Sequence, residues 1–182
     1  YNGRGFTRFN TGMESTSSTG YGVAKYDNEA IPEGFRSQSG KNYTHAPLFW
    51  LSVIYLNYAE ACAELGNITQ DDLDKSINLL KDRAGLPHLN PIVGFSDPAN
   101  NHGVSDLIWE IRRERRCELM FDNDNRYWDL IRWHQLDKLD TTKYPDIILG
   151  ANVANDMDGC EANKVGKYID GSKDGSRIYD KK

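Results

Sequence analysis

Between residues 48 and 136, apolar residues recur three and four positions apart, the spacing that lines one face of an α-helix. The pattern predicts helices over 48–65, 72–84, 105–121 and 125–136. Punctuation supports each one. Pro47 opens the first and Gly66 ends it. Thr69 and Asp72 make a capping-box-like start for the second, whose stripe is Leu73, Ile77, Leu80 and Ala84 before Gly85 and Pro87 stop it. Ser105 is placed to cap the third, with Val104 and Trp109 as a hydrophobic staple, and Asp124 to cap the fourth.

The first helix has a narrow polar face of Asn57, Glu60 and Glu64. A small-residue stripe, Ser52, Ala59 and Ala63, admits close approach of another helix. That combination predicts a helix inside a bundle. The first two helices resemble one tetratricopeptide unit, which cannot bury its own face and needs neighbours. The third helix poses a different problem. Val104, Leu107, Ile108, Ile111 and Leu119 share a face with Arg115 and Glu118, while Trp109 and Met120 fall on a second side, so burial on two sides is expected. A charge on an apolar face must be paired. Arg115 is therefore expected to be buried against a carboxylate or carbonyl, and Cys62 and Cys117 to be small core residues.

Outside the helices the pattern weakens. Residues 1–47 are rich in Gly, Ser, Thr, Asn and aromatics, with one alternating stretch, Thr19 to Tyr26, that reads as a short strand. Asn28 to Pro47 and His88 to Gly103 read as loops. After Leu139 glycines break the chain repeatedly, and only Lys164 to Ile169 looks like a strand.

Composition narrows the function classes. The chain has 182 residues and a net charge of −5. This acidic balance argues against nucleic acid as a partner, and Glu110, Glu114 and Glu118 interleave the arginines of RRERR. No run of 18 apolar residues could span a membrane as a helix. Three cysteines exclude a complete disulfide framework, and Cys160 lies in a polar loop as a free thiol. The four histidines are dispersed, so no zinc-like spacing and no cofactor are indicated. No G-x-S-x-G, H-E-x-x-H, P-loop or G-x-G-x-x-G occurs. Asp122 and Asp124 are the nearest thing to a glycosidase pair, but Asp124 precedes a helix and reads better as its cap. Asp156, Asp158 and Glu161 lack the spacing of a calcium loop.

Three stretches carry a family resemblance: Leu48 to Asn67 (LFWLSVIYLNYAEACAELGN), Ile77 to Pro87 (INLLKDRAGLP) and Ile111 to Trp133 (IRRERRCELMFDNDNRYWDLIRW). In this order and spacing they resemble the SusD/RagB family, over about half of the chain. Two departures stand out. Trp50 and Val53 occupy positions where the family usually has Arg and Glu, so apolar packing is expected in place of an ion pair. The turn from Asp122 to Asn125 is one residue longer than the commonest form.

The resemblance implies a mainly α fold of tetratricopeptide-like helix pairs with long irregular loops and minor short strands. It implies the carboxy-terminal part of a longer protein, divided here into loop and short strands (1–47), a helix pair (48–87), the signature pair (104–136) and a loop-rich tail (137–182). It further implies a non-catalytic lipoprotein of the Bacteroidetes outer membrane. Such a protein binds glycans at the surface and passes them to a SusC-like TonB-dependent transporter, and it meets the membrane only through an N-terminal lipid anchor outside this stretch. The rival readings are a helical-repeat module that docks proteins and a glycan-processing enzyme.

Sugars present C–H faces that stack on flat rings and hydroxyls that seek polar side chains. Aromatics in non-helical segments are therefore the candidates: Tyr21, Tyr26, Phe35, Tyr43 and Tyr144, near Asn28, Arg36, Gln38 and Asn42. The chosen set is Tyr21, Phe35, Arg36, Asn42 and Tyr43. Trp128 and Trp133 sit on an amphipathic helix and read as core or helix contacts.

Overall fold

The computed structural model describes Lys25, residues 30–36, 38–41, 43, 45, 47–122 and 125–152, and the strand backbone at 167–170 and 178–180. The strand expected over Thr19 to Tyr26 (Lys25 apart) and the Asp124 cap lie outside these residues, as do Cys160 and the acidic loop around Asp158. The chain forms two compact units, one of residues 46–134 and one of residues 1–45 with 135–182. The helices are α1 (Glu33–Arg36), α2 (Leu51–Glu64), α3 (Gln70–Asp74), α4 (Ile77–Ala84), α5 (Asp106–Glu118) and α6 (Asn125–Arg132). The fold is mainly α, as the periodicity predicts.

The unit of residues 46–134 holds α2 to α6, and α2 to α5 share one core. Leu56 and Ala59 of α2 meet Leu73 of α3, Ile77 and Leu80 of α4, and Ile111 of α5, with Leu89 and Leu119 closing the cluster. Val53 packs against this core, in line with the expected replacement of an ion pair by apolar contact. The capping box forms in full: the Thr69 hydroxyl accepts from the Asp72 N–H, and the Asp72 carboxylate accepts from the Thr69 N–H at 2.9 Å. This holds Asp72 down to about 2, with the Thr69 hydroxyl as the largest cause. Ser105 caps α5, accepting from the Ile108 N–H.

One predicted helix is broken. The pattern runs on from 72 to 84, yet α3 stops at Asp74 and α4 begins at Ile77. The buried Ser76 hydroxyl donates back to the Asp72 carbonyl at 2.5 Å, and such a local bond competes with the helical ladder. Gly85 then ends α4 in the left-handed region at φ +67, where a Cβ costs energy. The loop beyond it is not merely polar. Buried Asn78 donates to the Leu89 carbonyl at 3.0 Å and accepts from its N–H at 2.7 Å, which pins Leu89 into the core.

In the other unit the carboxy-terminal tail is more ordered than its glycines suggest. β1 (Leu149–Asn152), β2 (Lys167–Asp170) and β3 (Ile178–Asp180) form a small antiparallel sheet in that order. Tyr168 lies opposite Tyr179, and Ile169 opposite Ile178. β2 overlaps the strand expected over Lys164 to Ile169, whereas β1 and β3 carry almost no pattern of their own and are defined by pairing with it.

Replacing Thr69 with Ala removes the α3 cap and is expected to cost about 1 kcal/mol. Urea denaturation followed by far-ultraviolet circular dichroism measures it.

Candidate functional site

The signature stretch builds a buried ionic lattice between α2, α5 and α6. Arg115 is only 5% exposed. Its Nε donates to Asp129 Oδ2 at 2.7 Å and its Nη1 to Asn57 Oδ1 at 2.9 Å, as the helix wheel requires. The buried Glu60 carboxylate accepts from three donors: Arg112 Nε at 3.1 Å, Trp133 Nε1 at 2.7 Å and Arg132. Arg132 also donates to Asp129 at 2.9 Å, so a single guanidinium joins the two buried carboxylates. The Trp133 ring lies 4.6 Å from both the Arg112 and the Arg132 guanidinium carbons.

Two further pairs tie α4 to α5. Lys81 reaches Glu114 at 3.1 Å with both side chains largely buried. Arg83 pairs with Glu118, so the neighbour that neutralises Glu118 is on α4 and is not Arg115.

This lattice is poorly suited to acid–base chemistry. Burial pushes the Glu60 carboxyl up, but the bond from Arg132 leads a set of opposing interactions that bring it below its ordinary value. A carboxylate held anionic, with its oxygens occupied by donors, has no proton to give. Asp122 is buried, and Asp124 lies outside the described residues. Among the described residues, no three of His, Cys, Asp and Glu converge as a metal site.

The surface differs from the sequence reading in three places. Trp128, read as a core or helix contact, is 62% exposed and packs edge-on against exposed Tyr127 at 5.6 Å between ring centroids. Trp133 does make helix contacts, as expected. Met120 and Cys117, expected inside, are exposed. Met120 lies beyond the last residue of α5, so the wheel no longer places it, and the polar groups of α6 pair with the opposite side of α5 from Cys117. The outer face of α2 is the largest difference. Leu51, Ile54, Tyr58 and Leu65 are exposed, whereas Glu60 of the supposed polar face is buried. α2 thus has one open side and does not lie inside a bundle within this unit.

Of the predicted ligand set, Phe35 and Tyr43 are 47% and 62% exposed. The Lys41 ammonium sits 5.9 Å from the centroid of the Phe35 ring. Arg36 ends α1, and nothing is described of its side chain; Tyr21 and Asn42 lie outside the described residues. Tyr144 is half-buried at the start of a 3-10 turn. The aromatic pair Tyr127–Trp128 was missed. The signal available was the wheel of α6, which puts Trp128 opposite Arg126, Leu130 and Trp133.

Helices held by a buried ionic lattice define a helical scaffold in the unit of residues 46–134. The model of the SusD family matches residues 5–180, and the chain belongs to that family. No curated protein and no solved structure matches it. At the coarse level, membership means glycan-binding nutrient uptake, in a family whose members are generally non-catalytic and associated with the outer membrane. No helix among the described residues is long and apolar enough to cross a membrane.

Two expectations follow from the lattice. Arg115→Met leaves Asp129 short of its main buried partner and should cost roughly 3–5 kcal/mol in urea denaturation, much of it recovered when Asp129 is also made Leu. Glu60 has a folded pKa below its unfolded one, so its stabilisation is full above the ordinary carboxylate range and is lost as pH falls through the folded value. Thermal melts between neutral and acid pH should therefore show Glu60→Gln less stable than the parent at neutrality, with a flatter decline in acid.

Proposed function

We propose that this chain belongs to a surface lipoprotein that captures an oligosaccharide or polysaccharide without covalent chemistry and delivers it to a SusC-like TonB-dependent transporter in the outer membrane. The observation that carries this reading is the family match over nearly the whole chain. In this reading the protein meets the membrane through a lipid anchor, and no cofactor takes part.

The ligand site proposed is Tyr21, Phe35, Arg36, Asn42 and Tyr43. The exposure of Phe35 and Tyr43 supports it, because a ring must present a free face to stack on a sugar. Arg36 and Asn42 would then answer the hydroxyls. The exposed apolar stripe of α2 favours a second reading, a helical-repeat module that docks another protein.

The test begins with a glycan-array screen of the full-length protein, followed by calorimetry on the glycan it selects. Phe35→Ala and Tyr43→Ala should each weaken binding about tenfold to a hundredfold, or about 1–3 kcal/mol. Unchanged affinity in both variants rejects these positions. Shortened saccharides in the incubation reject the binding-only mechanism, and an array with no positive glycan favours protein docking.

A further inference from the structure

The ionic lattice leaves two arginines over. Arg112, Arg115 and Arg132 are taken up by Glu60, Glu64 and Asp129. Arg116 and Arg126 have no carboxylate within ion-pairing distance among the described residues, although every other arginine of α5 and α6 has one. Arg116 follows Arg112 by one turn on the same face of α5. Arg126, the second residue of α6, has its guanidinium carbon 5.7 Å from the centroid of the Trp133 ring on which Arg112 also stacks. Arg116 in the last turn of α5 and Arg126 in the first turn of α6 therefore flank the same connecting turn.

Their surroundings make the pairing unfavourable as it stands. Arg126 is half-buried. Burial and then the charge of Arg116 push its pKa down, against a smaller pull from Asp129. Asp129 is already engaged by Arg115 and Arg132. The last turn of α5 is basic and the first turn of α6 contains no acid, so the positive end of the α6 dipole adds to the same field. Two guanidinium forks without carboxylate partners at one corner can each offer paired N–H donors to an oxyanion with two or more oxygens.

We propose that Arg116 and Arg126 form a binding site for one oxyanion, a carboxylate or a sulfate group, at the α5–α6 corner. The site lies outside the proposed Phe35–Tyr43 ligand set and stands whether or not that set binds sugar. Its chemistry suits an acidic saccharide, carrying a uronate or a sulfate ester, as well as a free oxyanion. The exposed Tyr127–Trp128 pair on the same short helix offers rings to the rest of such a saccharide.

The experiment uses the full-length protein and its Arg116→Gln and Arg126→Gln variants, with sulfate replacing chloride at constant ionic strength. Sulfate stabilises proteins generally by exclusion, so the readout is the difference between parent and variants. The parent should gain more in Tm than either variant, and calorimetric sulfate binding should fall at least tenfold in both. In chloride alone, Arg116→Gln should melt at or above the parent temperature, because it removes a like-charge contact and breaks no ion pair. Glucuronate that competes with sulfate where glucose does not assigns the oxyanion to a saccharide; sulfate binding without glucuronate competition assigns it to the free ion. An equal sulfate response in parent and variants overturns the site. So does a loss of Tm in chloride for Arg116→Gln, which would show that the protein itself satisfies that cation.

Discussion

Much of the helical unit depends on Glu60 and Asp129 being neutralised inside the protein. Each is a buried carboxylate, and a buried charge without partners costs several kcal/mol. Arg132 bridges the two; Arg112 and Arg115 complete them from α5. The bonds have direction, so α2, α5 and α6 are held in one rotational register. Apolar contact alone would not do this, because Leu and Ile faces slide and rotate past one another at small cost. The lattice acts as a key for the packing, while the core of Leu56, Ile77, Ile111 and their neighbours supplies the larger, undirected stabilisation.

The same key decides what is left outside. α2 is apolar on most of its circumference, so hydrophobicity leaves open which side pairs with α5 and α4. Glu60 and Asn57 settle it by reaching the arginines of α5 and α6, and Leu51, Ile54, Tyr58 and Leu65 are turned to the surface as a result. A polar residue lies inside and an apolar stripe outside, which is the reverse of the simplest wheel. The interior is thus specified by ions, and an apolar flank of α2 stays at the surface of this unit. The lattice also saturates the buried Glu60 and Asp129 carboxylates with donors.

The candidate site was legible only in part. Aromatic residues in loops can be read as stacking positions because loops carry few core-forming demands; Tyr43 is exposed in such a segment, whereas Phe35, also exposed, lies on the short helix α1 rather than in a loop. Trp128 could not be read so simply. It sits in a short helix where an aromatic ring is normally a core residue; the wheel sets it opposite Leu130 and Trp133, and the contacts of Asp129 and Trp133 with α5 decide which of the two sides is buried. The leftover pair Arg116 and Arg126 was equally hidden. In sequence they are two of many arginines among many glutamates, and a surplus appears only when each acid is assigned its donor.

What the sequence determined by itself was local or strongly periodic. The helices of the middle region, the Thr69–Asp72 capping box, the Ser105 cap, the glycine stops and the burial of Arg115 all depend on spacings within a few residues or on the cost of an unpaired charge on an apolar face. The motifs Leu48 to Asn67, Ile77 to Pro87 and Ile111 to Trp133 also pointed to the family that the match over residues 5–180 establishes. Tertiary structure decided the break at Lys75–Ser76, the capture of Leu89 by Asn78, the three-stranded sheet of the tail and the outward face of α2. Each of these turns on a partner distant in sequence or on a choice between two nearly equal local bonds. Spacing along the chain does not encode which of those partners wins, because the energy that selects it exists only once the elements meet.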